Sequence, residues 1–176
     1  MIDVLLVGAE ELENLSTRYL AATLRQNGYS VELAAFSTAD EMDAVVQQAQ
    51  SAQPRLVGLS IIFQYRAPEF LALADELRHI LPQAHITTGG HFPTFAASDL
   101  LRDYAALDSV VRGEGELTLL ELVQQLDSPA TWHTILGLSF RRDGRIVENP
   151  PRPLIADLDS LPFPARDTPP QHHLGL

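Results

Sequence analysis

Four short stretches hold the residues of this 176-residue chain that could do chemistry: Gly8-Ala9-Glu10, Ser60-Ile61-Ile62-Phe63-Gln64-Tyr65, Gly89-Gly90-His91-Phe92-Pro93-Thr94 and Arg112-Gly113-Glu114-Gly115-Glu116. Paired glycines let backbone N–H groups approach a ligand closely. At the start of a helix, the Gly113/Gly115 turn suits phosphate or a similar acceptor. Ser60 to Tyr65 is apolar in the middle and polar at both ends, a lining for a large flat ligand or for a partner domain. His91, between glycines and an aromatic wall, offers a hydrogen bond. One imidazole is not a metal site, and His79, His85 and His133 fall at no ligand spacing to it. Plainer readings stand beside these: a bare strand-to-helix turn at Gly89-Gly90, a roof over the core at Ile62 and Phe63, and helix-start carboxylates at Glu114 and Glu116. Glu10, Glu11 and Glu13 read as solvated charge that opposes an anion at the first loop.

Composition removes several classes of function. Twelve basic against 23 acidic residues give a formal net charge of -11, which disfavours nucleic acid and anionic membranes as partners. There is no cysteine, hence no disulfide, thiol nucleophile, Cys-based zinc site or thiolate-held iron–sulfur cluster in this chain. No GxxxxGK[ST] loop, dinucleotide fingerprint or GxSxG elbow occurs. The apolar runs have strand length, so no membrane span is expected. The N-terminus enters a strand without a signal-peptide pattern, so the cytoplasm is the expected compartment.

The elements that must position these stretches alternate along the chain. Strands are expected at Val4–Val7, Ser30–Phe36, Leu56–Ser60, His85–Thr88 and Leu107–Val111. Helices are expected at Leu15–Asn27, Asp40–Gln50, Ala67–Leu81, Phe95–Arg102 and Gly115–Leu126. In the first helix Leu15, Tyr19, Ala22 and Leu24 are placed inward, with Arg18, Arg25 and Gln26 toward solvent. The order βαβαβαβαβα predicts an α/β, flavodoxin-like (Rossmann-like) fold: a parallel five-stranded sheet with helices on both faces. A short β-hairpin follows, Ile135–Arg141 and Arg145–Glu148 around Asp143-Gly144, whose residues favour a primed turn. From Pro150 a proline-rich tail reads as an extended connection that wraps the domain or leads away from it. The expected division is 1–130, an α/β domain; 131–149, a hairpin extension; and 150–176, a linker. In such a sheet a ligand lies at the carboxyl ends of the strands, which is where the four stretches fall.

NLSTRYLAATLRQNGYSVEL (14–33), GLSIIF (58–63), GGHFPT (89–94), DSVVRGEGELTLLELV (108–123), GLSFRRDGRIVENP (137–150) and DLDSLPFPARD (157–167) together resemble the N-terminal cobalamin-binding domain of B12-dependent radical SAM enzymes. The resemblance covers nearly the whole chain, in family order. It implies a corrinoid, cobalamin, as cofactor and a radical SAM barrel as the partner domain. That barrel would hold the [4Fe–4S] cluster and S-adenosylmethionine outside this chain. It further implies that Leu15, Ser16 and Arg18 flank the ring, and that Ser60, Ile61, Ile62, Phe63 and the adjoining Gln64 pack against the corrin or the nucleotide tail. Gly89, Gly90, His91, Phe92, Pro93 and Thr94 would lie beside tail and ring edge, and Gly113, Glu114 and Gly115 near the tail's base and ribose. These are binding roles, and no catalytic or metal-ligating residue is assigned.

Two departures shape the expectation. The DxHxxG motif that supplies a cobalt-ligating histidine in mutase-type domains is replaced here by Gly8 to Glu13, so no imidazole from this chain is expected on cobalt. Without a CxxxCxxC motif the chain cannot perform radical chemistry by itself, and it reads as a non-catalytic part of a longer enzyme of methyltransferase type. The alternatives are a standalone corrinoid carrier or B12-responsive module, or another flavodoxin-like binding domain.

Overall fold

Residues 1–10 and 14–167 are described, in a computed structural model. The chain forms β1 (Val4–Gly8), α1 (Leu15–Gln26), β2 (Val31–Ala35), α2 (Met42–Ala52), β3 (Leu56–Ser60), α3 (Ala67–Ile80), β4 (His85–Gly89), α4 (His91–Asp103), β5 (Ser109–Val111), α5 (Gly115–Gln124), β6 (Leu138–Arg142) and β7 (Arg145–Glu148). Local chemistry sets several ends. Asn14 caps α1 by accepting from the Thr17 N–H, and Pro68 sits in the first turn of α3, where its missing N–H costs nothing.

The expected parallel five-stranded sheet is corrected to a mixed sheet of seven strands, ordered β2-β1-β3-β4-β5-β6-β7. The first five run parallel. The hairpin then joins the same sheet, β6 pairing antiparallel with β5 through Ser109 to Phe140, Val110 to Ser139 and Val111 to Leu138. The cause lies in β5. A three-residue strand with all of its side chains buried cannot leave its outer N–H and C=O groups unpaired inside the protein. The Asp143-Gly144 turn has φ of +50° and +72°, the two positive values of a type I′ hairpin.

Strand alternation divides the core. Leu5, Val7, Val57, Leu59 and Ile86 face α2, α3 and α4, whereas Val4, Leu6, Leu56 and Val111 face α1 and α5. α1 is rotated from its expected setting: its buried residues are Thr17, Arg18, Ala21, Thr23 and Leu24, while Leu15 is 46% exposed. α4 starts at His91 rather than Phe95, and its backbone leaves helical geometry at Ala96. Among the described residues, no helix is long and apolar enough to cross a membrane.

The proline-rich segment up to Asp167 lies back across α1 and α5. The Arg152 guanidinium donates to Thr118 Oγ1 and to the Glu121 carboxylate, at 2.8 and 2.6 Å. The Ile155 N–H donates to the Glu114 carboxylate at 2.6 Å. The Ala165 N–H donates to the Arg18 carbonyl at 3.1 Å, and Arg25 pairs with Asp167 at 2.9 Å. Residues 168–176 of the expected linker, and Glu11, Leu12 and Glu13 of the first loop, lie outside the described residues.

Beneath the sheet, His85 Nε2 lies 2.8 Å from Ser109 Oγ, and that hydroxyl donates to Thr87 Oγ1, also at 2.8 Å. Trp132 packs edge-on against the imidazole. Burial pushes the His85 pKa from 6.5 down to about 4, only partly opposed by Asp108. The ring is therefore neutral near pH 7, and its 4.0 Å approach to Asp108 is not an ion pair there. In the unfolded chain His85 takes up a proton that the folded protein refuses. Its contribution to stability is thus complete above pH 6.5 and is lost as pH falls toward 4, by roughly 3 kcal/mol in all. Urea titrations across that window should show this slope in the wild type and a shallower one in His85→Gln; equal slopes would contradict the assignment.

Candidate functional site

Because the order reverses between β1 and β3, the chain leaves their carboxyl ends in opposite directions and opens a crevice there. The cleft at that place, between α1 and α5, has a volume of about 80 Å3. Its floor is strand: Leu6 from β1, Gly58 to Ser60 from β3, Thr87 to Gly89 from β4 and Val111 from β5. Its walls come from Ser16, Thr17 and Leu20 of α1 and from Gly115, Glu116 and Leu119 of α5, with Gly90 and Gly113 at the rim.

Glycines let the lining side chains pack close against the backbone. A Cβ on Gly58 would come 2.8 Å from Leu6 Cδ2, and one on Gly115 would come 3.2 Å from Leu20 Cδ2. Three floor and wall hydroxyls are committed to the protein: Thr17 Oγ1 donates to the Asn14 carbonyl, Thr87 Oγ1 to that of Ser109 and Thr88 Oγ1 to that of Leu59. Among the described residues, Glu116 is the one charged residue lining the cleft, and burial raises its pKa, with Glu114 adding to the effect. Apolar walls and scattered hydroxyls suit a flat aromatic body with polar edges.

Of the residues expected to bind a ligand, the cleft gathers Ser16, Ser60, Gly89, Gly90, Gly113 and Gly115. The others lie elsewhere. Leu15 faces solvent, and Arg18 is buried in an ion pair with Glu10 at 3.0 Å, donating also to the Ala165 carbonyl. Glu10, expected in solvent, is only 3% exposed. Glu114 is turned to the proline-rich segment. Ile61 is fully buried, and its carbonyl abuts Gly90. Pro93 is buried and Phe92 packs on the core beneath α4. Thr94 Oγ1 donates to the Gly90 carbonyl and accepts from the Gly113 N–H, joining two loops.

Above the strand ends, Ile62, Phe63, Gln64 and His91 are exposed. Phe63 stacks on Tyr65 with centroids 5.6 Å apart, and His91 meets Phe95 edge-on at 5.3 Å. These form an open aromatic surface beside the cleft rather than part of it. Sequence reasoning missed Thr17, Gly58, Thr87, Thr88, Glu116 and Leu119 as lining residues. Small or hydroxylated residues inside otherwise bulky strands were the available signal.

A family model described as the B12 binding domain matches residues 1–123. An uncharacterised methyltransferase of Pyrococcus horikoshii is 39% identical over 95 residues, 54% of this chain and 21% of that protein. An anaerobic magnesium-protoporphyrin IX monomethyl ester cyclase of Synechocystis is 42% identical over 83 residues, 47% of this chain and 17% of that protein. The cobalamin-dependent S-adenosylmethionine radical enzyme OxsB, with aqua-cobalamin and S-adenosylmethionine bound, superposes with a TM-score of 0.74 at 25% identity, over 88% of this chain and 23% of that one. The matched segments are thus about a fifth of each relative's length.

Proposed function

Since the chain belongs to the B12-binding domain family, we propose that it holds a cobalamin on behalf of a radical SAM catalytic domain of methyltransferase type in a longer protein. The observation that carries the reading is the cleft between α1 and α5 at the carboxyl ends of the strands, with exposed aromatic pairs at the same strand ends. Ser16, Ser60, Gly89, Gly113 and Gly115 would hold the nucleotide tail, with Gly90 fixing the loop at the rim. Ile62, Phe63, Gln64 and His91 would meet the corrin. Leu15 would flank it, while Ile61, Phe92, Pro93 and Thr94 fix the loops that carry these contacts. Arg18 and Glu114 act from behind, by fixing the first loop and the proline-rich segment.

A bound cobalamin supplies a cobalt centre able to carry a methyl group, and that chemistry belongs to the cofactor. The protein's residues bind, orient and shield. In this reading residues 1–130 form the binding unit, 131–149 extend its sheet, and 150–176 lead toward the catalytic domain. With no cysteine in its sequence, the chain itself offers no thiolates for an iron–sulfur cluster.

Purified protein mixed with hydroxocobalamin and passed through gel filtration should carry the corrinoid's visible absorbance with the protein peak. A peak with α/β circular dichroism and no corrinoid absorbance would overturn the reading.

A further inference from the structure

Glu116 stands out because the cleft gives it no counter-charge. Among the described residues, its lining contains no Lys, Arg or His, and the walls include the apolar Leu20, Val111 and Leu119. The carboxyl has no partner on another of the described residues beyond the repulsion of Glu114. The N-terminus of α5 favours a carboxylate in its first turn, and a donor on a ligand in the cleft would add a hydrogen bond that no side chain supplies. Burial already drives its pKa upward, as expected of a group poised in a ligand site. The same lining excludes the anionic part of a nucleotide. A phosphodiester placed inside would meet a carboxylate and no cation, so it must stay at the mouth while base and ribose enter.

We propose that Glu116 reads the nucleotide tail of the corrinoid, its carboxylate accepting a hydrogen bond from a donor on that tail, either a ribose hydroxyl or an amino group of the lower base. This rests on the corrinoid-binding reading and makes Glu116 a specificity-determining residue. The neighbouring Glu114 does not line the cleft, and its carboxylate accepts from the Ile155 N–H instead.

The test is a spectral titration of wild type, Glu116→Gln and Glu116→Leu with three corrinoids. Cobinamide has no nucleotide, cobalamin has a dimethylbenzimidazole base without an amino group, and an adenine-bearing corrinoid has one. Both variants should lose about ten- to a hundredfold in affinity for a nucleotide-bearing corrinoid and keep wild-type affinity for cobinamide; Glu116→Gln preserves size if Glu116→Leu misfolds. Equal losses with cobalamin and the adenine form identify the ribose hydroxyl, and a loss confined to the adenine form identifies the base amine. Unchanged affinities in both variants, or a matching loss with cobinamide, would overturn the role of Glu116 while leaving corrinoid binding intact. A wild type that binds no corrinoid would overturn both.

Discussion

Gly90→Val is expected to destabilise the protein by about 3 kcal/mol or more, and to weaken corrinoid binding only as far as it unfolds the chain. Gly90 has φ of +109°, a conformation that a β-branched residue does not tolerate, and a Cβ there would lie 2.6 Å from the Ile61 carbonyl oxygen and 3.0 Å from its carbon. Those are backbone atoms and cannot swing aside. The close approach that requires glycine is therefore between two loops of the chain. Gly113 is the control: its φ is +73°, but nothing lies within 4 Å of the added atom, so Gly113→Ala should cost only about 1 kcal/mol. Urea midpoints and a corrinoid titration of each variant decide the matter. A Gly90→Val protein of wild-type stability with poor corrinoid affinity would show that the glycine serves the ligand instead.

Removing either member of the Glu10–Arg18 pair should cost about 3–5 kcal/mol, because it strands the other charge in the interior. The side chains are 4% and 1% exposed. Arg18 would keep its bond to the Ala165 carbonyl after Glu10→Ala, but it would lose its counter-charge. The double variant Glu10→Gln with Arg18→Met should recover most of the loss, since no buried charge remains. Denaturation of the two single variants and the double checks this, and single losses below about 1 kcal/mol would mean that the pair is dispensable.

The parallel part of the fold was legible because β1 and β3 are compact apolar runs ended by Gly8 and Ser60, and the helices between strands have periodic faces. The hairpin's turn was equally plain from Asp143-Gly144. Its place in the sheet was not, because pairing of Val110 with Ser139 is a contact between distant positions that no local pattern encodes. The start of α4 was misjudged for a related reason. His91, Phe92 and Pro93 read as loop, but Gly90 turns the chain and the Thr94 hydroxyl closes the first turn on the Gly90 carbonyl.

The candidate site was half legible. A topological rule selects the loops at the strand ends, and these supply the rim of the cleft. It says nothing of the floor, where Gly58, Thr87 and Thr88 lie inside strands and look like core. Charge misled at Glu10 and Arg18. Each alone reads as a surface residue, and only the fold shows that they face each other under the proline-rich segment. Glu116 was read as a helix-start carboxylate beside Glu114, although the helix turns one toward the cleft and the other toward the Ile155 N–H.

The hairpin also changes what the molecule shows to other copies of itself. Had the sheet stopped at β5, its border would be Ser109-Val110-Val111, a row of unpaired amides flanked by apolar side chains and open to any passing strand. With β6 and β7 added, the border moves to the four-residue Arg145–Glu148, whose two ends are charged and exposed. Short, charged edges recruit foreign strands poorly. The hairpin thus replaces a sticky border with one that resists aggregation.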